Sequence, residues 1–372
     1  MTSIALGGHP DEDRTLVTIF LRGGADGLAL VPAVHDDGYH RARPRLGVSA
    51  SRALRLEGPF GLAPELAELH PWFLSGELAV VHAAGSDDQS RSHFVAQEVM
   101  ERGGLSASGG WIGRWLRSRQ ASGALGAIST GSELPDSLRG APAATALGSL
   151  AALEPGGDWS GLCRALEGLY ARDRLLGGPA RDALTAAERL GTLAREGARP
   201  GDAARYPGPG EGELALGFGR DLGQVAALIR ARVGLVAACV DLGNWDSHFA
   251  QETIVSTRMR ALASGLAAFA RDLGPLLART SVVVMSEFGR RVMENASLGT
   301  DHGRGGVMFV LGGGTPGGMH CRWPGLDADR LDGPGDLSVV HDYRDVLAPV
   351  LARHGGGLSA AFPGYAPRPL PV

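Results

Sequence analysis

The run from Ser281 to Gly314, SVVVMSEFGRRVMENASLGTDHGRGGVMFVLGGG, constrains the fold more than any other part of the chain. It opens with Ser281 to Met285, a short apolar stretch rich in β-branched residues, which predicts a fully buried strand. Just beyond it stand an acid, Glu287, then Gly289 and the pair Arg290-Arg291. A polar loop then delivers Asp301-His302-Gly303 and the chain enters a second apolar run, Val307 to Leu311. In an open α/β sheet, ligands bind at the carboxyl ends of the parallel strands. An acid at the end of one strand, and an Asp-His pair leading into the next, are the donors a divalent metal needs there. The plain alternative for either acid alone is an ion-paired loop with a capping aspartate.

Other stretches repeat the arrangement. Thr15 to Leu21 predicts a buried strand that ends in Arg22-Gly23-Gly24-Ala25-Asp26-Gly27, where glycines let the backbone bend tightly. Leu78 to Ala83 predicts another, followed by Ser90-Arg91-Ser92-His93-Phe94 and an amphipathic pattern through Glu101. Ser90 or Ser92 fits the cap of that helix. Unpaired N–H groups at a helix start attract anions, and Arg91 adds a bidentate partner for phosphate or sulfate; the alternative is an ordinary capped helix with a surface arginine. Leu235 to Val240 predicts a further strand, running into Asp246-Ser247-His248 and then a long helix through Leu273. Two residues apart in an extended turn, Asp246 and His248 can point the same way.

The remainder carries less chemistry. Helices are predicted over Pro64–Leu74 and Gly110–Ser118, and from His341 to about His354 with Asp342 as N-cap. Between about residues 123 and 212 the chain is rich in Ala, Gly and Pro, with helical patterns at Leu162–Leu176 and Ala180–Glu196. That segment is expected to be a helical insertion over the sheet of a single domain spanning 1–372, with a loop over Gly197–Gly212. The proline-rich tail from Phe362 is expected to lie extended on the surface.

Composition excludes several classes. The chain has 372 residues and a net charge of −4, with no basic excess to suggest nucleic acid or an anionic membrane. All 36 basic residues are arginine. Without lysine there is no Schiff base to pyridoxal phosphate and no Walker-type phosphate loop. Cys163, Cys239 and Cys321 are odd in number and scattered, as expected of buried free thiols in a reducing compartment. The first residues carry acids where a signal peptide needs a cationic patch, and arginines interrupt the later apolar runs. No membrane association and a cytoplasmic location are therefore expected.

Asp26, Asp246, His248, Glu287, Asp301 and His302 thus come from four places, each beside a predicted strand end. Mixed carboxylate and imidazole donors suit Zn²⁺ best, then Mn²⁺ or Fe²⁺, ahead of Mg²⁺ or the all-oxygen cage of Ca²⁺. Six converging groups would serve one ion, or two about 4 Å apart.

The segments FLRGGADGL, SRSHF, NWDSH, SEFGRR and TDHGRGGVMFVLGGG resemble domain-of-unknown-function family 1501, a bacterial group similar to sulfatases within the alkaline phosphatase superfamily. The resemblance runs from about Thr15 to His354. It implies an α/β fold of the alkaline phosphatase or sulfatase kind, with a central, mostly parallel sheet flanked by helices and a divalent metal site at the strands' carboxyl edge. In it Asp26 takes the place of the first-strand metal acid, and Asp246 and His248 that of the middle Asp/His pair. Two departures stand out. Where the superfamily has Asp-His, this chain has Glu287-Phe288, and Asp301-His302 aligns better with the later histidine before the following strand. Sulfatases place Cys or Ser three residues before a Ser-Arg pair, where this chain has Asp87.

The resulting expectation is a metal-dependent hydrolase or transferase acting on a small phosphate or sulfate ester. Ser90 or Ser92 is the candidate nucleophile, His93 an acid or base, and Arg91 and Arg290 hold the anion. A metal-bound hydroxide would make a covalent nucleophile unnecessary. The alternative is a member of the fold that binds metal without hydrolysis, either as a scaffold or with lyase or group-transfer chemistry. Oligomeric state is not legible.

Overall fold

The computed structural model describes residues 14–119, 125–149, 159–196, 204–370 and 372. Its strands are β1 (Thr15–Leu21), β2 (Leu54–Arg55), β3 (Gly61–Leu62), β4 (Leu78–Gly85), β5 (Ala127–Ser129), β6 (Thr145–Ala146), β7 (Ala237–Leu242), β8 (Thr280–Met285), β9 (Gly306–Gly312), β10 (Gly318–His320) and β11 (His341–Asp342). Nine of them form one sheet in the order β10-β4-β9-β8-β1-β7-β5-β6, with β11 also paired to β4; β2 and β3 make a separate hairpin. Every pairing in the large sheet is parallel except the two made by β9, which runs antiparallel to both β4 and β8. The chain is thus a mixed α/β protein with a mostly parallel central sheet flanked by helices.

The strands read as continuous apolar runs because both faces of the sheet are covered. Val17, Ile19 and Leu21 of β1, Val282 and Val284 of β8, and Val307, Phe309 and Leu311 of β9 enter one core. Leu16 and Phe20, Val283 and Met285, and Met308 and Val310 enter the other. This is the period-two alternation of a strand. The first core receives the helices Glu213–Arg230 and Gln251–Leu273; the second receives Trp111–Ser118 and Tyr343–Arg353.

Three expectations change. The segment about 123–212 is not purely helical: β5 and β6 lie within it and extend the main sheet beyond β7, short enough to escape a periodicity search. Part of it, including residues 197–203 of the predicted 197–212 loop, lies outside the described residues. The helix Glu213–Arg230 was not anticipated. The C-terminal tail does not simply lie on the surface. Phe362 and Val372 are buried in the second core, and the Tyr365 hydroxyl and the Arg368 N–H both donate to Asp345. Prolines removed the helical signal there, but not the apolar side chains that pack. The cysteines are free, Cys163 and Cys239 buried as expected and Cys321 only half-buried, and among the described residues no helix is long and apolar enough to cross a membrane.

His82 on β4 shows how the core constrains charge. It is wholly buried. Its Nε2–H donates to the Val31 carbonyl (3.0 Å), and its Nδ1 accepts from the Ala83 N–H (2.8 Å). The neutral ring is satisfied at both nitrogens, and a second proton would face an N–H. Burial pushes its pKa down to about 4. The unfolded chain takes up that proton near pH 6.5, so the stability due to neutral His82 is full above that value. It is lost as pH falls from about 6.5 to 4, by up to ~1.4 kcal/mol per pH unit. Urea unfolding at pH 7 and pH 5 should show a smaller acid loss for His82→Gln than for the wild type. Equal losses would contradict this account.

Candidate metal centre

The antiparallel course of β9 decides where the site forms. β1, β4, β7 and β8 end at one edge of the sheet, and β9, running the other way, begins there. Residues that follow four strands and precede a fifth therefore share one rim. The segments around them continue the β8–β9 pairing as a narrow hairpin: Gly289 N–H donates to the Arg304 carbonyl, Arg291 N–H to Asp301, and Gly303 N–H to Gly289. A Cβ on Gly289 would stand against the Gly305 carbonyl, so only glycine lets the two arms approach. At the end of β1, Gly23 has φ +119°, and a Cβ there would lie 2.6 Å from the Asp246 nitrogen. Bulk at Gly23 would push the β1 and β7 turns apart.

Three imidazoles turn their Nε2 atoms toward Asp246. That of His302 lies 3.3 Å from Asp246 Oδ1, that of His248 lies 3.1 Å from the same oxygen, and that of His93 lies 3.6 Å from Oδ2. Ligand atoms of His93, Asp246 and His302 all fall within 4.8 Å of one another, as a metal-binding group requires. His248 stands beside this group of three without being part of it, its Nε2 2.9 Å from that of His302.

The opposite ring nitrogens are all committed. His93 Nδ1 faces Glu287 Oε1 at 2.8 Å, His248 Nδ1 faces Asp301 Oδ1 at 3.2 Å, and His302 Nδ1 faces the Arg91 carbonyl at 2.8 Å. Each partner is an acceptor, so each Nδ1 carries a proton, and each ring when neutral has its lone pair at Nε2. Among the described residues, the buried His93 Nε2 has no hydrogen-bond partner. Two lone pairs 2.9 Å apart, on His248 and His302, repel unless a cation or proton lies near. Imidazoles fixed through Nδ1 by a carboxylate or carbonyl are the usual support of metal-binding histidines. The residues present fit a divalent ion.

The acids around the cluster stay ionised. Glu287 is buried, which raises its pKa, but hydrogen bonds from His93, Gln97 and main-chain N–H groups more than offset this and hold it below the ordinary glutamate range. Burial likewise raises Asp246, but Arg290, His248 and His302 hold it low. Asp301 is also lowered: hydrogen bonds from Asn295 and His248 outweigh burial. Glu287 in turn raises the pKa of His93, against the effect of burial. Burial lowers that of His302.

Of the six residues expected to hold metal, Asp246, His248 and His302 come together. Glu287 and Asp301 stand one layer behind, orienting imidazoles. Asp26 is not brought into the cluster. It is 1% exposed, caps the short helix Gly27–Leu30, forms a two-pronged ion pair with Arg43 (2.6 and 3.0 Å), and accepts from Gln251. An internal arginine nowhere near it in sequence pattern claimed the acid.

The expected anion-binding arginines are likewise engaged. Arg290 is buried and donates to the carbonyls of Gly23, Gly24 and Thr300 and, at 2.6 Å, to Asp246; it positions the Asp246 carboxylate. Arg91 pairs with Asp336. Ser90 Oγ donates to Asp88 at 2.7 Å, and Ser92 is the N-cap residue of the helix His93–Arg102. Among the described residues no hydrogen bond links either hydroxyl to the cluster. His93, expected as an acid or base, turns its Nε2 toward Asp246 beside the other two imidazoles. Its position just past β4, at the same rim, was the available signal. Asn295, which donates to the His248 carbonyl and to Asp301, and Gln97 gave none.

Residues 186–358 match the family described as "Protein of unknown function (DUF1501)", which bears out the resemblance over that stretch. No curated protein matches the chain. Among solved structures, a point mutant of TAB5 alkaline phosphatase with Mg bound in its M3 site is similar at 8% identity and a TM-score of 0.35. Alkaline phosphatase from the Antarctic bacterium TAB5 is similar at 9% identity and a TM-score of 0.33. In both cases the match covers 82% of this chain and 93% of the other. Likenesses this slight say nothing about the site.

Proposed function

We propose that this chain is a metal-dependent hydrolase built around a single divalent ion held by His93, His248, His302 and Asp246. The observation that carries the reading is the set of three Nε2 atoms turned toward one carboxylate, each imidazole fixed from behind through Nδ1. The donor set, rich in nitrogen, favours Zn²⁺, with Mn²⁺ and Fe²⁺ next. Asp26 and Glu287, which a second ion would have needed, are committed to Arg43 and to His93 with Gln97.

When bound, such an ion supplies Lewis acidity toward an ester oxygen and acidifies water, whose pKa falls to about 7 on zinc. The chain's own residues do the rest. Glu287 and Asp301 keep the Nδ1 protons of His93 and His248 in place, so that both rings present lone pairs. Arg290 fixes Asp246 while drawing off part of its negative charge. Phe288 packs against His93 and His302, with ring centroids 4.8 and 4.9 Å apart, and shields one side of the cluster from water. With Ser90 bonded to Asp88, direct attack by water is the simplest course.

Phosphate and sulfate monoesters remain the first substrates to try. Because Arg91 and Arg290 are already paired, the ion itself would have to balance much of the substrate's charge. The test is elemental analysis of the purified chain, with turnover of aryl phosphates and sulfates before and after chelation. About one ion per chain, and activity that chelation removes and Zn²⁺ or Mn²⁺ restores, is expected. A chain that takes up no metal would end the proposal. One that holds metal but turns over no ester would favour the non-hydrolytic alternative.

A further inference from the structure

We propose that Asp336 and Arg91 are positioning residues for the metal centre: their ion pair sets the backbone of Arg91 so that its carbonyl receives the Nδ1–H of His302. The inference rests on reading the cluster as a metal site.

Arg91 is held at one end by a carboxylate far away in sequence. Its Nε donates to Asp336 Oδ2 at 2.8 Å, and its Nη2 lies 2.5 Å from the same oxygen. Asp336 has no exposed surface, and among the described residues its other oxygen has no hydrogen-bond partner and its side chain grips Arg91 alone. The loop carrying it is fastened in turn. Asp332 and Asp336 exchange main-chain hydrogen bonds, and the Val292 N–H donates to the Gly335 carbonyl.

The other end of Arg91 explains the arrangement. Its backbone sits at φ +53°, in the left-handed region that side chains other than Gly, Asn and Asp rarely adopt. In that conformation its carbonyl accepts from His302 Nδ1 at 2.8 Å. That bond leaves the His302 Nε2 bare and turned toward Asp246 and His248. An arginine serving only a surface ion pair needs no such backbone. The Ser-Arg-Ser-His stretch thus acts on the metal site through a main-chain oxygen, and its guanidinium is the anchor.

The test is zinc titration of the full-length chain against a chromogenic chelator, with thermal melting of each variant. Asp336→Asn should weaken zinc binding about 10- to 100-fold, the range for residues that orient ligands. Glycine adopts the left-handed backbone freely, so Arg91→Gly should bind within about threefold of wild type. The double variant Asp336→Asn/Arg91→Gly should then resemble Arg91→Gly, a rescue that general destabilisation would not give. Arg91→Val removes the same guanidinium but disfavours positive φ, and should bind at least about tenfold more weakly than Arg91→Gly. This pair decides the matter even if Asp336→Asn does not fold. Wild-type affinity in Asp336→Asn, or equal affinities for the Gly and Val variants, would overturn the inference. A wild-type chain that binds neither zinc nor, in the same titration, Mn²⁺ or Fe²⁺ would instead defeat the metal reading.

Discussion

Replacing His302 with alanine should reduce the bound metal from about one ion per chain to less than about a tenth, measured after gel filtration. His248→Ala should do the same. Both rings expose more than a fifth of their side-chain surface and pack at the rim rather than in a core, so both variants should still fold. Turnover should fall by about 10³-fold or more if the ion supplies several kcal/mol of transition-state stabilisation. Glu287→Gln serves as the graded control. The amide still fills the buried space but no longer offers His93 and Gln97 an ionised acceptor. Metal affinity should drop about 10- to 100-fold without vanishing. If Glu287→Gln lost metal as completely as His302→Ala, glutamate would be a ligand, as the sequence suggested. If His302→Ala kept its full metal content, the centre would not exist as described.

The second large effect separates stability from metal binding. Asp26→Ala should destabilise the fold by about 3–5 kcal/mol, the cost of leaving one partner of a buried ion pair uncompensated. Arg43 would remain 1% exposed, still donating to the carbonyls of Arg291 and Val292 but without its carboxylate. Gln251 would lose its acceptor as well. The folded fraction should nevertheless hold about one ion per chain, because Asp26 contributes no atom to the cluster. Chemical denaturation and elemental analysis on the same sample read both quantities. An unchanged unfolding midpoint with loss of metal would return Asp26 to the role its place after the first strand suggested.

The long strands were legible because each is a short apolar run bounded by polar residues and glycines. β1 falls where its pattern placed it, and β4, β7, β8 and β9 differ from expectation by a residue or two at their ends. The rule that ligand groups gather past strand ends then singled out Asp246, His248 and His302. It also singled out Asp26, and at that point sequence reasoning lost its hold. Asp26 and Asp246 both follow buried strands in Gly-containing turns. What distinguishes them is Arg43, folded back onto one, and the histidines, facing the other. Arg91 and Arg290 looked available to an anion for the same reason: a free guanidinium and a paired one are the same letter.

The sequence alone therefore determined which residues reach the rim of the sheet, since strand periodicity and turn composition are local properties of the chain. The tertiary structure decided what each does on arrival. The reversed direction of β9 brought His302 to the rim. Contacts between residues far apart in the chain, such as Arg91 and Asp336 across 245 residues, then set which nitrogen of a ring is free and which acid is already neutralised. Whether a carboxylate or imidazole can bind an ion depends on what else lies within about 3 Å of it, a distance that spacing along the chain does not fix.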